Sequence, residues 1–303
     1  MPAQQRSKHT AERSPADPRL TVVIATKDRK QSLLTTLHRL TELDERPAIV
    51  VVDNGSQDGT ADAVRSAFPS VKIVSLDHNH GIAARNFGVR AAQTPYVAFC
   101  DDDSWWSPGA LTQAADLLDR CPRLAVVAAR TVVGAERRTD PVSSLMARSP
   151  LRAAGTDNPA VLGFLACSAI VRRQAFLDVG GFAAFIGIGG EERLLAYDLA
   201  AAGWELAYVD SIIAHHHPEE RDRSARAVLA RRNDLLIVAL RRPWPTVLAE
   251  FTAAARRAVH DQRERRALGS ALRAAPAVLP KRRAVPARVE AAIRRLATAE
   301  QQA

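Results

Sequence analysis

The chain has 303 residues, 47% of them hydrophobic, with a formal net charge of +9. That is enough to bury a sizeable core, as one large domain or one domain with an appendage. Cys100, Cys121 and Cys167 are widely separated and form no CxxC pair, which argues against a zinc site or a disulfide framework and for a reducing compartment.

Residues 1–19 are polar, with prolines and charges, and are expected to form a disordered leader rather than a signal segment. LTVVIATKDR (20–29) reads as a buried parallel strand and its C-terminal loop, followed by a helical spacing of leucines over 30–43. AIVVVDNGSQDGT (48–60) is a second strand closing on Asp53 and a Gly-containing turn. ADAVRSAF reads as a short helix, VKIVSLD as a third strand, GIAARNFGVRAAQ (81–93) as a helix and YVAFC (96–100) as a fourth strand. Helix and strand alternate, the mark of an α/β layered fold with a parallel sheet. Polar residues gather at the strand C-termini, where open α/β sheets bind ligands.

The fourth strand runs directly into Asp101, Asp102 and Asp103, with no Lys or Arg nearby in sequence to relieve their repulsion. Beyond it, 107–122 reads as a helix, 124–133 as a strand, 134–160 as a loop excursion, 161–182 as strand then helix, 190–204 as a helix, and 205–218 as a strand or strand pair ending in His215, His216 and His217. Helical patterns follow over 224–242 and, after a PWP break, over 246–275. Residues 218–303 hold 19 basic and 9 acidic side chains, a net of +10, against −1 for the rest. The basic character therefore belongs to the tail, which lacks the interleaved aromatics of a nucleic-acid surface. No run of about 18 or more apolar residues is present, so no membrane span is expected.

In order and spacing, VVIATKDR, VVVDNGSQDGT, NHGIAARNFGVRAA, VAFCDDDSWW, VGGF and GGEERLLAYDLAAAGW, closing on HHH, resemble the motifs of glycosyltransferase family 2. The resemblance covers residues 20–218, about two-thirds of the chain. It implies a GT-A fold, Rossmann-like, with a mostly parallel central sheet and flanking helices, while 219–303 form a basic helical C-terminal extension. It also implies an inverting transfer from a nucleotide sugar, UDP- or dTDP-linked, to a hydroxyl acceptor that is a glycan, a lipid-linked molecule or a small molecule.

The chemistry such a reaction needs can be laid on the residues. A departing diphosphate needs its charge neutralised, and oxygen ligands suit Mg²⁺ or Mn²⁺. By resemblance, Asp103 is the main metal ligand, Asp101 assists, and Asp102 lies near the ribose. His215 is the expected histidine ligand, with His216 and His217 behind it. Asp53 is placed at the uracil or thymine edge, and Thr26 and Arg29, or else Asp28, border the nucleotide. Arg85, followed by Asn86, faces the base or diphosphate. An acceptor hydroxyl needs a base, and Glu192 is expected to serve, with Glu191 the alternative. Gly187, Gly189 and Gly190 before it suggest a loop that closes on substrate. Trp105 and Trp106 either stack on sugar or base or belong to the core.

The tail carries Leu229, Leu236 and Leu240 as an apolar stripe among arginines. Such a stripe either lies on an anionic membrane surface or packs on the catalytic domain. The resulting expectation is a cytoplasmic bacterial enzyme, alone or peripheral at the inner face of the cell membrane, working on cell-surface polysaccharide or secondary metabolites. Two rivals are a non-catalytic nucleotide-sugar-binding protein of the same fold and a sugar nucleotidyltransferase. The second would need a Gly-rich phosphate loop that VVIATKDRK lacks.

Overall fold

The computed structural model describes residues 17–218 and 224–302. The expected leader falls mainly on 1–16, outside the described residues. Its last part is held in place, because Arg19 bonds Asp17 at 2.7 Å and Asp116 at 2.9 Å. Residues 17 and 19 are thus tied to the folded domain.

β1 (Leu20–Thr26), β2 (Ala48–Asp53), β3 (Lys72–Ser75) and β4 (Tyr96–Cys100) pair in parallel in the order β3-β2-β1-β4. α1 (Lys30–Thr41), α2 (Thr60–Ala67) and α3 (Ala84–Ala91) connect them. The sheet continues through β8 (Ala169–Arg172), β6 (Leu124–Val133), β9 (Glu205–His216) and β5 (Ser104–Trp106), with β7 (Arg138–Thr139) on β6. β8 is antiparallel to both β4 and β6, and β5 is antiparallel to β9. The sheet is therefore parallel in its first half and mixed in its second. α4 (Ala110–Arg120), α5 (Pro141–Ala147), α6 (Arg173–Asp178) and α7 (Glu191–Ala201) complete the domain.

The continuous apolar runs of β1, β2 and β4 follow from burial on both faces. Leu33, Leu37 and Leu111 fill one side of the sheet, and Val89, Phe176 and Leu195 the other. α3 lies so close to β1 and β2 that a Cβ on Gly88 would sit 2.4 Å from Val23 Cγ1.

The extension forms α8 (Ser224–Arg241), α9 (Trp244–His260), α10 (Gln262–Val278) and α11 (Ala287–Gln302). The stretch 246–275, expected as one helical run, breaks at Asp261, whose carboxylate caps α10 by accepting from Arg263 N at 2.7 Å. Leu236 and Leu240 are fully buried and join Leu194 and Tyr197 of α7 in a third apolar cluster. The stripe considered for lipid contact is thus core at these two positions, and the extension packs on the domain. Ion pairs fasten it, Arg241 to Asp198 and Asp234 to Arg193 on α7, while Arg242 and Glu290, 2.6 Å apart, tie its own helices together. No helix among the described residues is long and apolar enough to cross a membrane.

Two glycine substitutions should shift stability in opposite directions. Gly88→Ala should lower unfolding free energy by about 1–3 kcal/mol through overpacking. Gly269→Ala, in the interior of α10 with room for a methyl, should raise it by about 0.4–1 kcal/mol. Urea denaturation of the two variants checks both signs.

Candidate active site

Register places the strand ends together. Thr26 pairs with Asp53 across β1 and β2, and Ile24 pairs with Cys100 across β1 and β4. Asp101, Asp102 and Asp103 therefore emerge at the same sheet edge as Thr26 and Asp53. Asp53 Oδ1 accepts from Ser56 N, three residues on, at 3.0 Å, which fixes the turn that follows β2. The Asp28 carboxylate accepts from Gln57 N at 2.7 Å, which makes it a brace for that same loop.

The acidic triplet is not unrelieved, as its local sequence suggested. Arg29, from the turn before α1, donates through Nε to Asp102 Oδ1 at 2.6 Å and through Nη2 to Asp103 Oδ2 at 2.9 Å. Arg85, from α3, pairs with Asp101. Thr26 Oγ1 donates to Asp102 Oδ2 at 2.8 Å. Burial raises the Asp102 pKa against the opposing pull of Thr26 and Arg29. The Asp102 carbonyl accepts from Ser32 and Thr36 of α1, each at 2.8 Å.

The histidine beside the aspartates is His216, not the expected His215. His216 Nε2 lies 3.4 Å from Asp103 Oδ1. Burial disfavours its charged form, but the bond to Asp103 and the nearby Asp101 outweigh this and raise its pKa. His215 instead stacks on Trp105 at 5.2 Å between centroids, with Nε2 at 2.9 Å from Ser107 Oγ. The guanidinium of Arg39 also sits 3.5 Å from the Trp105 ring centre, and His217 leans on the same ring. Trp106 is fully buried in the core. Trp106 therefore has no face for a sugar, and Trp105 is already covered by these neighbours.

The turn Ala166–Ser168 before β8 links this cluster to the acids of α7. Asp101, Cys167 and His216 bring a ligand atom each within 4.8 Å of one another. Burial first, and Asp101 second, push the Cys167 thiol well above its ordinary pKa, so it stays protonated. Cys167 was not anticipated, because an isolated cysteine carries no spacing signal. One residue earlier, Ala166 N donates to Glu192 Oε1 over a long 3.4 Å. Burial, reinforced by Glu191, pushes the Glu192 carboxyl up to about 8. Glu191 Oε2 instead accepts from Gly189 N and so shapes the glycine loop. Asn86, beside Arg85, exchanges two hydrogen bonds with the Phe182 backbone at 2.8 and 2.9 Å, which ties the VGGF segment to α3.

Glu192 also lines a cavity of about 540 Å³ bounded by α5, residues 161–165, α7 and α11.

A family model described as Glycosyl transferase family 2 matches residues 21–180. The pre-mycofactocin glycosyltransferase of Mycobacterium tuberculosis is 31% identical over 221 residues, covering 68% of this chain and 45% of that one. The chain thus spans about half the length of this relative. An N-acetylglucosaminyl-diphospho-decaprenol L-rhamnosyltransferase from the same species is 26% identical over 250 residues, covering 70% and 80%. Among solved structures, a mannosyltransferase from Pyrobaculum calidifontis in complex with GDP-Man and Mn²⁺ superimposes with a TM-score of 0.59. At 20% identity, over 95% of this chain and 89% of that one, the likeness speaks for the fold.

The raised Glu192 pKa has a stability consequence. Between the ordinary carboxylate range and about 8 the folded state holds a proton that the unfolded chain has released. Stability contributed at this site is therefore full at low pH and lost as pH rises across that window. Glu192→Gln removes the loss, so its melting temperature should exceed that of the parent by about 2 °C or more at pH 8, and the gap should close at pH 5. Calorimetric scans at both values check the sign.

Proposed function

The chain belongs to glycosyltransferase family 2, and from that premise we propose that it transfers a sugar from a nucleotide-sugar donor to an acceptor hydroxyl, with inversion at the anomeric carbon. The observation that carries this reading is the meeting, at one sheet edge, of the Asp101–Asp103 cluster with His216 and, through the Ala166–Cys167 turn, Glu192.

The donor set fits a divalent cation. Asp103, Asp101 and His216 would hold it, and carboxylate with imidazole favours Mn²⁺ over Mg²⁺. When bound, the cation neutralises the departing diphosphate. The Cys167 sulfur lies beside Asp101 and His216. Arg85 is buried and paired with Asp101, which brings its charge to the edge where the diphosphate would lie. Asp53 and Thr26, with Asp102 held beside them, form the nucleoside end, read as UDP or dTDP. Glu192 takes the proton of the acceptor hydroxyl, and its raised pKa suits a base working near neutrality. Glu191 orders the loop that leads to it.

The relatives' names support a bacterial role in glycosylating a metabolite or a lipid-linked glycan. Peripheral contact with an anionic membrane, expected of the basic extension, would fall to α9, where Trp244 and Leu248 are 56% and 65% exposed. Vesicle co-sedimentation of Leu248→Ser against the parent reads it; equal sedimentation removes that role.

Calorimetric titration of UDP, dTDP and GDP with Mn²⁺ present tests the reading. One of the three should bind in an Mn²⁺-dependent way. His216→Ala should weaken that binding about 10–100-fold, while His215→Ala leaves it near the parent value. The opposite pattern would restore His215 as ligand, and no binding of any nucleotide would defeat the reading.

A further inference from the structure

We propose that the cavity between α5, residues 161–165 and α11 is the acceptor site, and that the acceptor is an alcohol with an apolar body. This rests on the reading of Glu192 as acceptor base, because that carboxylate stands in the cavity wall. At about 540 Å³, the space is of the size that holds a small molecule or part of a larger one.

Its lining selects the occupant. Met146 of α5, Leu162 and Phe164, Tyr197 of α7, and Ile293 and Leu296 of α11 give the wall its apolar area. Two of its cations are already answered: Arg193 pairs with Asp234, and Arg242 with Glu290. An anionic occupant therefore gains little from these two, and the third arginine of the lining, Arg148, is exposed and its charge is screened by water. A body rich in hydroxyls would bury donors and acceptors against hydrocarbon, which is costly without partners. An alkyl or aromatic body incurs no such cost and gains by leaving water. Val142 and Leu145 on α5, each 38% exposed, extend the apolar surface outward from the cavity. The reacting hydroxyl would sit at Glu192, with the apolar body directed along α11.

The far wall comes from the extension. α11 lies outside the family-matched residues 21–180, so a part of the chain that the family model does not cover supplies one wall of the cavity. The extension is then a specificity element as well as a packing partner.

The test compares two probes on the full chain: n-octyl β-D-glucopyranoside below its micellar concentration and methyl β-D-glucopyranoside. Both are titrated by saturation-transfer NMR, with Mn²⁺-dependent nucleotide binding followed in parallel. The octyl compound should bind about tenfold tighter or more. Leu296→Trp and Ile293→Trp, which fill the cavity, should each bring the octyl affinity down to that of the methyl compound while nucleotide binding is unchanged. Equal affinities in the parent chain would overturn the proposal, as would an octyl preference that survives both variants. Loss of nucleotide binding in the parent would instead count against the donor reading, leaving the octyl-to-methyl ratio to judge the cavity.

Discussion

Three consecutive carboxylates at the end of a buried strand are the constraint around which the catalytic half is arranged. Like charges at the mouth of a low-dielectric sheet need counter-charge, and it comes from two arginines distant in sequence. Arg29 spans Asp102 and Asp103, and Arg85 answers Asp101. Each arginine also fixes the element that bears it. The turn before α1 is drawn to the sheet edge by Arg29 and by the Ser32 and Thr36 bonds to the Asp102 carbonyl. α3 is held by Arg85 from one side and by the Asn86–Phe182 exchange from the other. The protein supplies two permanent cations to three anions, with His216 close to Asp103, and a cation brought with the substrate would complete the balance.

The second half of the site depends on a short relay. The Ala166–Ser168 turn carries Cys167 beside Asp101 and presents Ala166 N to Glu192. Glu192 sits at the start of α7, and α7 is in turn clamped by the extension through Arg241–Asp198 and Arg193–Asp234. The C-terminal helices thus determine where the proposed base stands. That explains why a segment rich in arginine keeps so much of its apolar surface and several of its arginines inside.

Much of this was legible in the sequence, for identifiable reasons. Buried parallel strands read as continuous apolar runs, and β1, β2, β4 and β6 fell where those runs are. The acidic triplet, Asp53 and the GEE motif stood out because polar groups at strand ends and helix starts are local features. What was not legible is long-range. The arginines that pair with the triplet lie 16 to 74 residues away from it, so a local reading found the charge unrelieved. The histidine that faces the aspartates depends on register. β9 pairs Val209 with Ala129 but Ile213 with Arg130, an irregularity that resets the alternation of faces. The family's spacing from AYVDSIIA points to His215, while the strand as folded turns His216 to Asp103. Trp105 and Trp106 looked alike in sequence, and only pairing with β9 separates a core residue from one covered by Arg39 and His215. The buried stripe of α8 was equally undecidable, since an amphipathic helix looks the same whether its apolar side meets lipid or protein.

The central claim is that the Asp101–Asp103 cluster with His216 is the seat of a divalent cation. Anomalous diffraction at the manganese edge, from crystals grown with Mn²⁺ and UDP, tests it most directly. A manganese peak at bonding distance from Asp103 and His216 is predicted. Among the described residues the other grouping with suitable ligand atoms is Asp77, His78 and His80. Manganese bound there, with none at Asp101, Asp103 and His216, would contradict the account.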